Sequence, residues 1–360
     1  MLRFVFFVAM WAGTVWQALA WQSKVLIRGY VEEADSRERL VGAHVFEVRS
    51  SRGTVTDNFG YFSLQVPVEA DSVLQLRVSY TGYQSVWKEL PEGRDTFLLI
   101  RMQAGEQLSE VVVKAAEGGQ ATTIDRQVMS VGQIARMPAM FGEADVFKAL
   151  SLLPGVQPGQ EGQSAIFVRG GSRDQNLVLL DGVPLYFTNH FAGFFSVFNP
   201  DALKQVQLYK GGFPAHYGGR LSSVLDLTMK EGHMSEWHAK GAMGLLSSRL
   251  MAEGPIVKDR ASMLVAARRS WTDLIVLPLI YELGGYEKWE RASFWFGDLN
   301  FKVNWMINDR NRLFASGYLG RDQYNFNLRE AVGNGDFLTT GSKTRWDNST
   351  FSLRWQSLLS

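Results

Sequence analysis

The sequence predicts a mainly β protein in three parts: a β-sandwich, then a mixed α/β domain, then the first strands of an antiparallel transmembrane β-barrel. Three observations point there. Short stretches alternate apolar and polar residues with a period of two, the mark of half-buried strands. Glycine is frequent, at 35 residues, and aromatic residues make up 12%, which suits many turns between strands. Seven of the eleven Trp lie beyond residue 236, where the interfacial girdles of a barrel need them.

Composition removes several function classes. The 360 residues have room for two or three domains, and 46% apolar with 20% charged residues excludes a disordered chain. Lys and Arg number 37 against 36 Asp and Glu, a net charge of +1. That gives no electrostatic case for nucleic acid. There is no cysteine, hence no disulfide scaffold, no thiol nucleophile, no Cys-bound metal and no lipidated cysteine.

Residues 1–20 read as an export signal. Arg3 is the positive start, 4–15 an apolar run, and Ala18-Leu19-Ala20 a small-x-small site with cleavage after Ala20. The run is shorter than the ~20 residues a helical span needs. An exported chain without helical spans is either soluble or an outer-membrane barrel.

Residues 24–103 read as a small sandwich. Phe62, Leu64 and Val66 alternate with Ser63 and Gln65, and Leu74, Leu76 and Val78 with Gln75 and Arg77. Between strands, Asp57-Asn58-Phe59-Gly60 is a turn, because Asp and Asn bond their own backbone and Gly accepts a positive φ. Ile27-Arg28-Gly29-Tyr30-Val31, Leu40-Val41-Gly42-Ala43-His44-Val45, the 56–62 turn and Ser79-Tyr80-Thr81-Gly82-Tyr83 resemble the carboxypeptidase regulatory-like domain, a transthyretin-like sandwich. The resemblance implies no peptidase activity. His44 has no second ligand nearby and reads as a strand histidine.

Residues 108–115 follow. Glu110, Val111, Val112 and Val113 favour an extended backbone. Two readings stand: a last edge strand of the sandwich, or a free strand that adds to a partner's sheet. The segment resembles a TonB box, which implies docking to TonB through these four residues.

In residues 120–230 a helix is expected over 143–153, where Val146, Phe147, Leu150 and Leu153 fall at helical spacing before Pro154-Gly155. Asn199-Pro200-Asp201-Ala202-Leu203 reads as a capped short helix. Phe167-Val168-Arg169-Gly170-Gly171, Leu179-Leu180-Asp181-Gly182-Val183-Pro184, and the run from Lys210 and Gly211 to Tyr217-Gly218-Gly219-Arg220 stand in the order and spacing of a TonB-dependent receptor plug. That resemblance, to outer-membrane receptors of the Bacteroidetes type, implies a plug inside a large barrel. The motif residues Arg169, Gly170, Gly171, Asp181, Gly182, Lys210, Gly211, Tyr217, Gly218 and Arg220 read as structural, with Arg169 a candidate tie to acidic groups on the barrel wall. The aromatic segment 186–195 has two readings. Its rings pack within the plug or on the barrel, or Tyr186, Phe187, Asn189, His190 and Phe191 form an apex loop that touches ligand.

Residues 236–360 read as the beginning of the barrel. Leu299, Phe301, Val303 and Trp305 alternate with Asp298, Asn300, Lys302 and Asn304, and Phe351, Leu353 and Trp355 with Ser352, Arg354 and Gln356. Five strands are expected, at about 236–252, 261–270, 294–306, 312–325 and 344–358, with long loops at 271–293 and 326–343. Five strands cannot close a barrel, so the chain reads as an N-terminal part of a receptor or a truncated product.

The resulting expectation is a receptor of the cell outer membrane, its regulatory-like domain periplasmic, taking up a siderophore, vitamin, oligosaccharide or peptide. Its partners would be TonB with the inner-membrane energy-coupling complex, outer-membrane lipid, the unidentified ligand, and, left open, a surface lipoprotein. The alternative is an exported binding or adhesion module without transport. No catalytic motif, metal site or cofactor is expected: there is no Gly-x-Ser-x-Gly, P-loop, Gly-x-Gly-x-x-Gly or zinc pattern.

Overall fold

The computed structural model describes residues 24–67, 73–90, 94–105, 126–135, 137, 143–159, 164–190, 193–284, 292–308, 310–333 and 336–357. The expected export signal, the candidate docking strand 108–115 and Phe191 lie outside the described residues. The chain divides into two compact units, 1–120 and 121–360.

Among the described residues the first unit holds seven strands: β1 (Lys24–Glu33), β2 (His44–Glu47), β3 (Arg52–Val55), β4 (Tyr61–Pro67), β5 (Leu74–Ser79), β6 (Val86–Leu90) and β7 (Thr96–Met102). They form two sheets, β4-β1-β7 and β3-β2-β5-β6. Phe62, Leu64 and Val66 of β4 and Leu74, Leu76 and Val78 of β5 are buried together with Ile27, Val45 and Ile100. Each such side chain contributes about 1.5–3 kcal/mol through burial. In the turn before β4, Asp57 Oδ1 accepts from the amides of Phe59 and Tyr61 at 2.8 and 2.9 Å. Gly60 takes φ 71° there.

Glu47 ends β2 fully buried. Its carboxylate accepts from the Arg49, Ser50 and Gln75 amides and the Ser50 hydroxyl, at 2.6–3.3 Å. Burial pushes its pKa up, and these donors, Ser50 foremost, outweigh burial and hold it below the ordinary 4.5. His44 is exposed on β2.

The second unit begins with β8 (Arg126–Ser130), two short helices (Val131–Ala135 and Val146–Leu150), β9 (Val156–Pro158) and β10 (Ile166–Val168). Then come β11 (Asn176–Leu180), β12 (Val183–Pro184), β13 (Asn189–His190), β14 (Phe195–Ser196), β15 (Leu203–Tyr209) and β16 (Ser223–Met229). The mixed sheet runs β12-β11-β16-β15-β8, with β11 and β16 parallel. Asp145 caps the second helix by accepting from the Lys148 amide. Val146, Phe147 and Leu150 from that helix pack on Val178, Val206, Leu208, Leu225 and Leu227 of the sheet. The expected helix at 199–203 is a turn instead. Asn199 Oδ1 accepts from the Asp201 amide, and the Ala202 amide bonds the Asn199 carbonyl, so the chain enters β15 directly.

A six-stranded antiparallel sheet follows: β17 (His238–Met243), β18 (Ser247–Val257), β19 (Ala261–Ser270), β20 (Ala292–Asn308), β21 (Asn311–Gly333) and β22 (Asp336–Ser357). They pair in sequence order, and β17 and β22 have one neighbour each, so the sheet is open. Five strands were expected. The 236–252 stretch is two strands, because the chain turns at 244–246, where the Gly244 amide bonds the Ser247 carbonyl. The expected loop 326–343 is largely ladder, paired from Phe326↔Ser342 to Gly333↔Asp336. The 271–291 connection contains a helix, Leu277–Gly284. No described helix is long and apolar enough to cross a membrane, which says nothing of strands.

Candidate functional site

The two faces of the six-stranded sheet are inverted relative to a soluble sandwich. Along β20 the polar side chains Asp298, Asn300, Lys302 and Asn304 are buried, while Trp305 on the other side is exposed. On β22, Phe351, Leu353 and Trp355 are exposed, Leu353 at 75%. The polar face is covered by the α/β domain. Tyr318 of β21 belongs to that domain's core cluster, and Ala202 packs with Met251, Leu264 and Ala266 of the sheet.

Buried ion pairs cross this junction. Arg268 donates to Glu143 at 3.0 Å, to Asp298 at 2.8 Å and to the Ser196 carbonyl at 2.8 Å. Lys302 donates to Asp181 at 3.0 Å and to the Met229 carbonyl at 2.9 Å. Arg312 meets Glu231 at 3.3 Å. At the margin, the half-buried Arg249 and the exposed Lys240 share the buried Asp201, at 2.5 and 2.6 Å. In each, the sheet supplies the cation and the α/β domain a carboxylate. A buried charge needs such pairing to be tolerated, so position and sign register the domain on the sheet.

Two contacts reverse the polarity: Lys230, just after β16, meets Glu253 of β18 at 3.5 Å, and His190 meets two aspartates of the sheet. His190, 1% exposed, has Nδ1 2.7 Å from Asp322 and Nε2 3.2 Å from Asp298. Its ring stacks on Phe296 with centroids 4.7 Å apart.

The segment that delivers His190 starts at a tight turn, where Asp181 and Gly182 take φ 48° and 83°. The β13–β14 hairpin follows, its base closed by the Val197 amide on the Thr188 carbonyl. Between turn and hairpin, Tyr186 and Phe187 project outward, 74% and 63% exposed. Asn348 on β22 donates to the Phe187 carbonyl at 2.9 Å. The Asn189 side-chain oxygen and nitrogen are buried without a hydrogen-bond partner among the described residues.

The anticipated site residues therefore divide. Tyr186 and Phe187 face outward, whereas His190 is turned onto the sheet and does not present its ring to solvent. Arg169 lies exposed in its turn at φ 49°, and the buried ties to the sheet use other residues. Gly170 takes φ 78°, and a side chain at Gly171 would strike Ser222. Lys210, after which Gly211 opens the loop, donates to the Pro154 carbonyl at 3.0 Å. Tyr217 donates to Asp226 at 2.7 Å, and burial raises the pKa of both groups. Arg220 donates to the Gly219 carbonyl, beside Gly218. Sequence reasoning missed Glu143, Asp298, Tyr318 and Asp322 as contact residues. The one available signal was the run of polar residues on alternate positions of β20. Among the described residues no cluster of three or more metal-ligating side chains occurs.

Comparison with known proteins bears on this arrangement. Residues 119–223 match the TonB-dependent Receptor Plug Domain. The chain carries a receptor plug. Ahead of it, residues 27–113 match the CarboxypepD_reg-like domain, a range that takes in Glu110 to Val113. No curated protein matches the chain. Among solved structures, a mutant ferric enterobactin receptor from Pseudomonas aeruginosa is similar at 16% identity and TM-score 0.38, over 63% of this chain and 40% of that one. A siderophore receptor from Acinetobacter baumannii is similar at 14% identity and TM-score 0.40, over 64% and 44%. A ferric yersiniabactin uptake receptor from Yersinia pestis is similar at 14% identity and TM-score 0.38, over 65% and 46%. The chain spans less than half the length of each. The matched range takes in β8 to β15 and the first residue of β16, and it holds Glu143, Asp181 and Asp201, three of the carboxylates paired with the sheet.

Proposed function

We propose that the chain is the plug-bearing part of an outer-membrane receptor that takes up a ligand with energy delivered by TonB. The observation that carries this is the inverted sheet. Its polar face grips the plug through buried ion pairs, and its other face exposes Phe351, Leu353 and Trp355. Exposed aromatic and aliphatic rows on a strand face suit lipid, and a polar inner face suits a filled lumen. In a closed barrel further strands would pair the open edges of β17 and β22, since unpaired backbone is costly in lipid.

Tyr186 and Phe187 would meet the ligand with two exposed rings to stack. Siderophores, vitamins, oligosaccharides and peptides all offer such partners. Glu110 to Val113 would dock to TonB by strand addition. The regulatory-like domain would then stand in the periplasm, behind a leader removed after Ala20. A surface lipoprotein partner fits this reading without being required by it, and no catalytic step is part of it.

The test is fractionation followed by pull-down. The protein should sediment with outer membranes, need detergent for extraction, and bind the purified periplasmic domain of TonB. Deleting residues 110–113 should abolish that binding. A detergent-independent periplasmic protein would favour the exported binding module instead.

A further inference from the structure

His190 stands at the plug–sheet junction in an acidic neighbourhood. Asp298 of β20 and Asp322 of β21 contact its two ring nitrogens at 3.2 and 2.7 Å. The Tyr318 hydroxyl of β21 is 3.4 Å from Nε2. Arg268 of β19 reaches the same Asp298 and also Glu143 of the plug. On the remaining side Phe296 covers the ring, and Lys148 lies over the neighbouring Phe195 at 5.6 Å. The cluster thus places three carboxylates, Glu143, Asp298 and Asp322, around one guanidinium and one imidazole.

A neutral imidazole has one N–H donor and one lone pair. It can serve one of the two aspartates and must turn a lone pair on the other. Only the imidazolium donates to both. The segment that leads into the His190 hairpin carries the exposed rings Tyr186 and Phe187, four and three residues upstream. The segment's other described ties to the sheet are the bond from Asn348 to the Phe187 carbonyl and, on the returning strand β14, the bond from Arg268 to the Ser196 carbonyl.

We propose that His190 is a positioning residue for the ligand-facing loop: clamped as an imidazolium between Asp298 and Asp322, it holds Tyr186 and Phe187 in place, and loss of its proton frees the loop from the sheet. This rests on the reading of those rings as ligand contacts. Burial by itself lowers the pKa of His190, but the hydrogen bonds it donates to Asp298 and Asp322 outweigh burial, so the pKa lies above the ordinary 6.5. A raised folded-state value means the hold is complete at acidic pH and is lost as pH rises through that value. The remaining ion pairs between plug and sheet use Arg and Lys rather than His, so the release is local to the loop.

The chain has no cysteine, so Tyr186→Cys carries a nitroxide label at one site. The full chain in detergent micelles is followed by electron paramagnetic resonance from about pH 5 to about pH 9. The label should be immobile at the acidic end and become mobile in one transition above the ordinary histidine value. Asp322→Asn removes one carboxylate and should lower the midpoint by about one pH unit or more. His190→Gln cannot carry charge and should leave the label mobile throughout. A wild-type spectrum independent of pH, a transition that persists in His190→Gln, or an unmoved midpoint in Asp322→Asn overturns the proposal. Should His190→Gln not fold, the Asp322→Asn midpoint decides. The readout needs no ligand, so a receptor that imports nothing still reports on the clamp.

Discussion

Lys302, in the middle of β20, donates to Asp181 in the plug turn at 3.0 Å, and both side chains are buried. Asp181 Oδ1 also accepts from the Met229 amide, and Lys302 also donates to the Met229 carbonyl. Sheet, plug turn and the end of β16 are thus closed into one knot. Asp181 itself sits at a positive φ, a conformation uncommon outside glycine. The knot fixes the turn from which the 183–198 segment departs.

Lys302→Met should cost about 3–5 kcal/mol, because it leaves the buried Asp181 carboxylate unpaired. Adding Asp181→Asn to Lys302→Met should recover most of that loss, since the remaining amide carries no charge. Denaturant unfolding of the detergent-solubilised protein measures both, and a double-mutant cycle isolates the coupling. Equal losses in the single and double variants would mean that the pair is not the source of the cost.

The first unit should unfold on acidification through Glu47. Its folded pKa is depressed, so its contribution is present above the ordinary 4.5 and is lost as pH falls through the lower folded value. Glu47→Gln keeps the shape but cannot carry the charge that the Ser50 donors address. It should cost about 1–3 kcal/mol near neutral pH and flatten the acid limb. Urea unfolding of a 24–103 fragment against pH checks this. The fragment should fold alone, since its core of Ile27, Val45, Phe62, Leu76, Val78 and Ile100 comes entirely from its own strands.

Local periodicity made the strands legible. Phe62-x-Leu64-x-Val66 and Asp298-x-Asn300-x-Lys302 assign faces to β4 and β20 without further information, because a strand repeats every two residues. Turns with dedicated chemistry were equally readable, as at Asp57. The turn at 244–246 was not, because Leu245 and Leu246 continue the apolar character of the strands they separate. The β21–β22 ribbon beyond Phe326 was hidden for the opposite reason: its polar and glycine-rich composition resembles a loop, while its pairing is set by the ladder that starts at Asn311↔Ser357. The plug–sheet contacts were the least legible. Arg268 and Glu143 are 125 residues apart, His190 and Asp322 are 132 apart, and no local pattern links such pairs. The aromatic setting of His190 left open packing within the plug or on the barrel, or contact with a ligand; the ring it stacks on is Phe296 of β20.

Tyr186→Ala and Phe187→Ala together should weaken ligand binding by about 1–3 kcal/mol, the range of truncated hot-spot aromatics. Stability should change little, because both rings are mostly in solvent. Calorimetric titration with candidate siderophores, vitamins, oligosaccharides and peptides, paired with a thermal melt, separates the two effects. An unchanged dissociation constant at an unchanged melting temperature would remove these rings from the ligand site.

Val112→Pro should abolish energy-dependent uptake while leaving ligand binding at the surface intact. Proline removes a main-chain donor and does not fit a strand added to a partner's sheet. The alternative place for these residues is an edge strand of the regulatory-like domain, whose match extends to residue 113. The two roles separate by readout. In a docking strand the substitution lowers TonB binding and uptake and leaves the melting of the first unit unchanged. In an edge strand it lowers that melting temperature, because a ladder hydrogen bond is lost, and uptake falls only as far as the folded population does. Uptake at the wild-type rate in Val112→Pro cells, with normal protein levels in the outer membrane, would end the docking assignment.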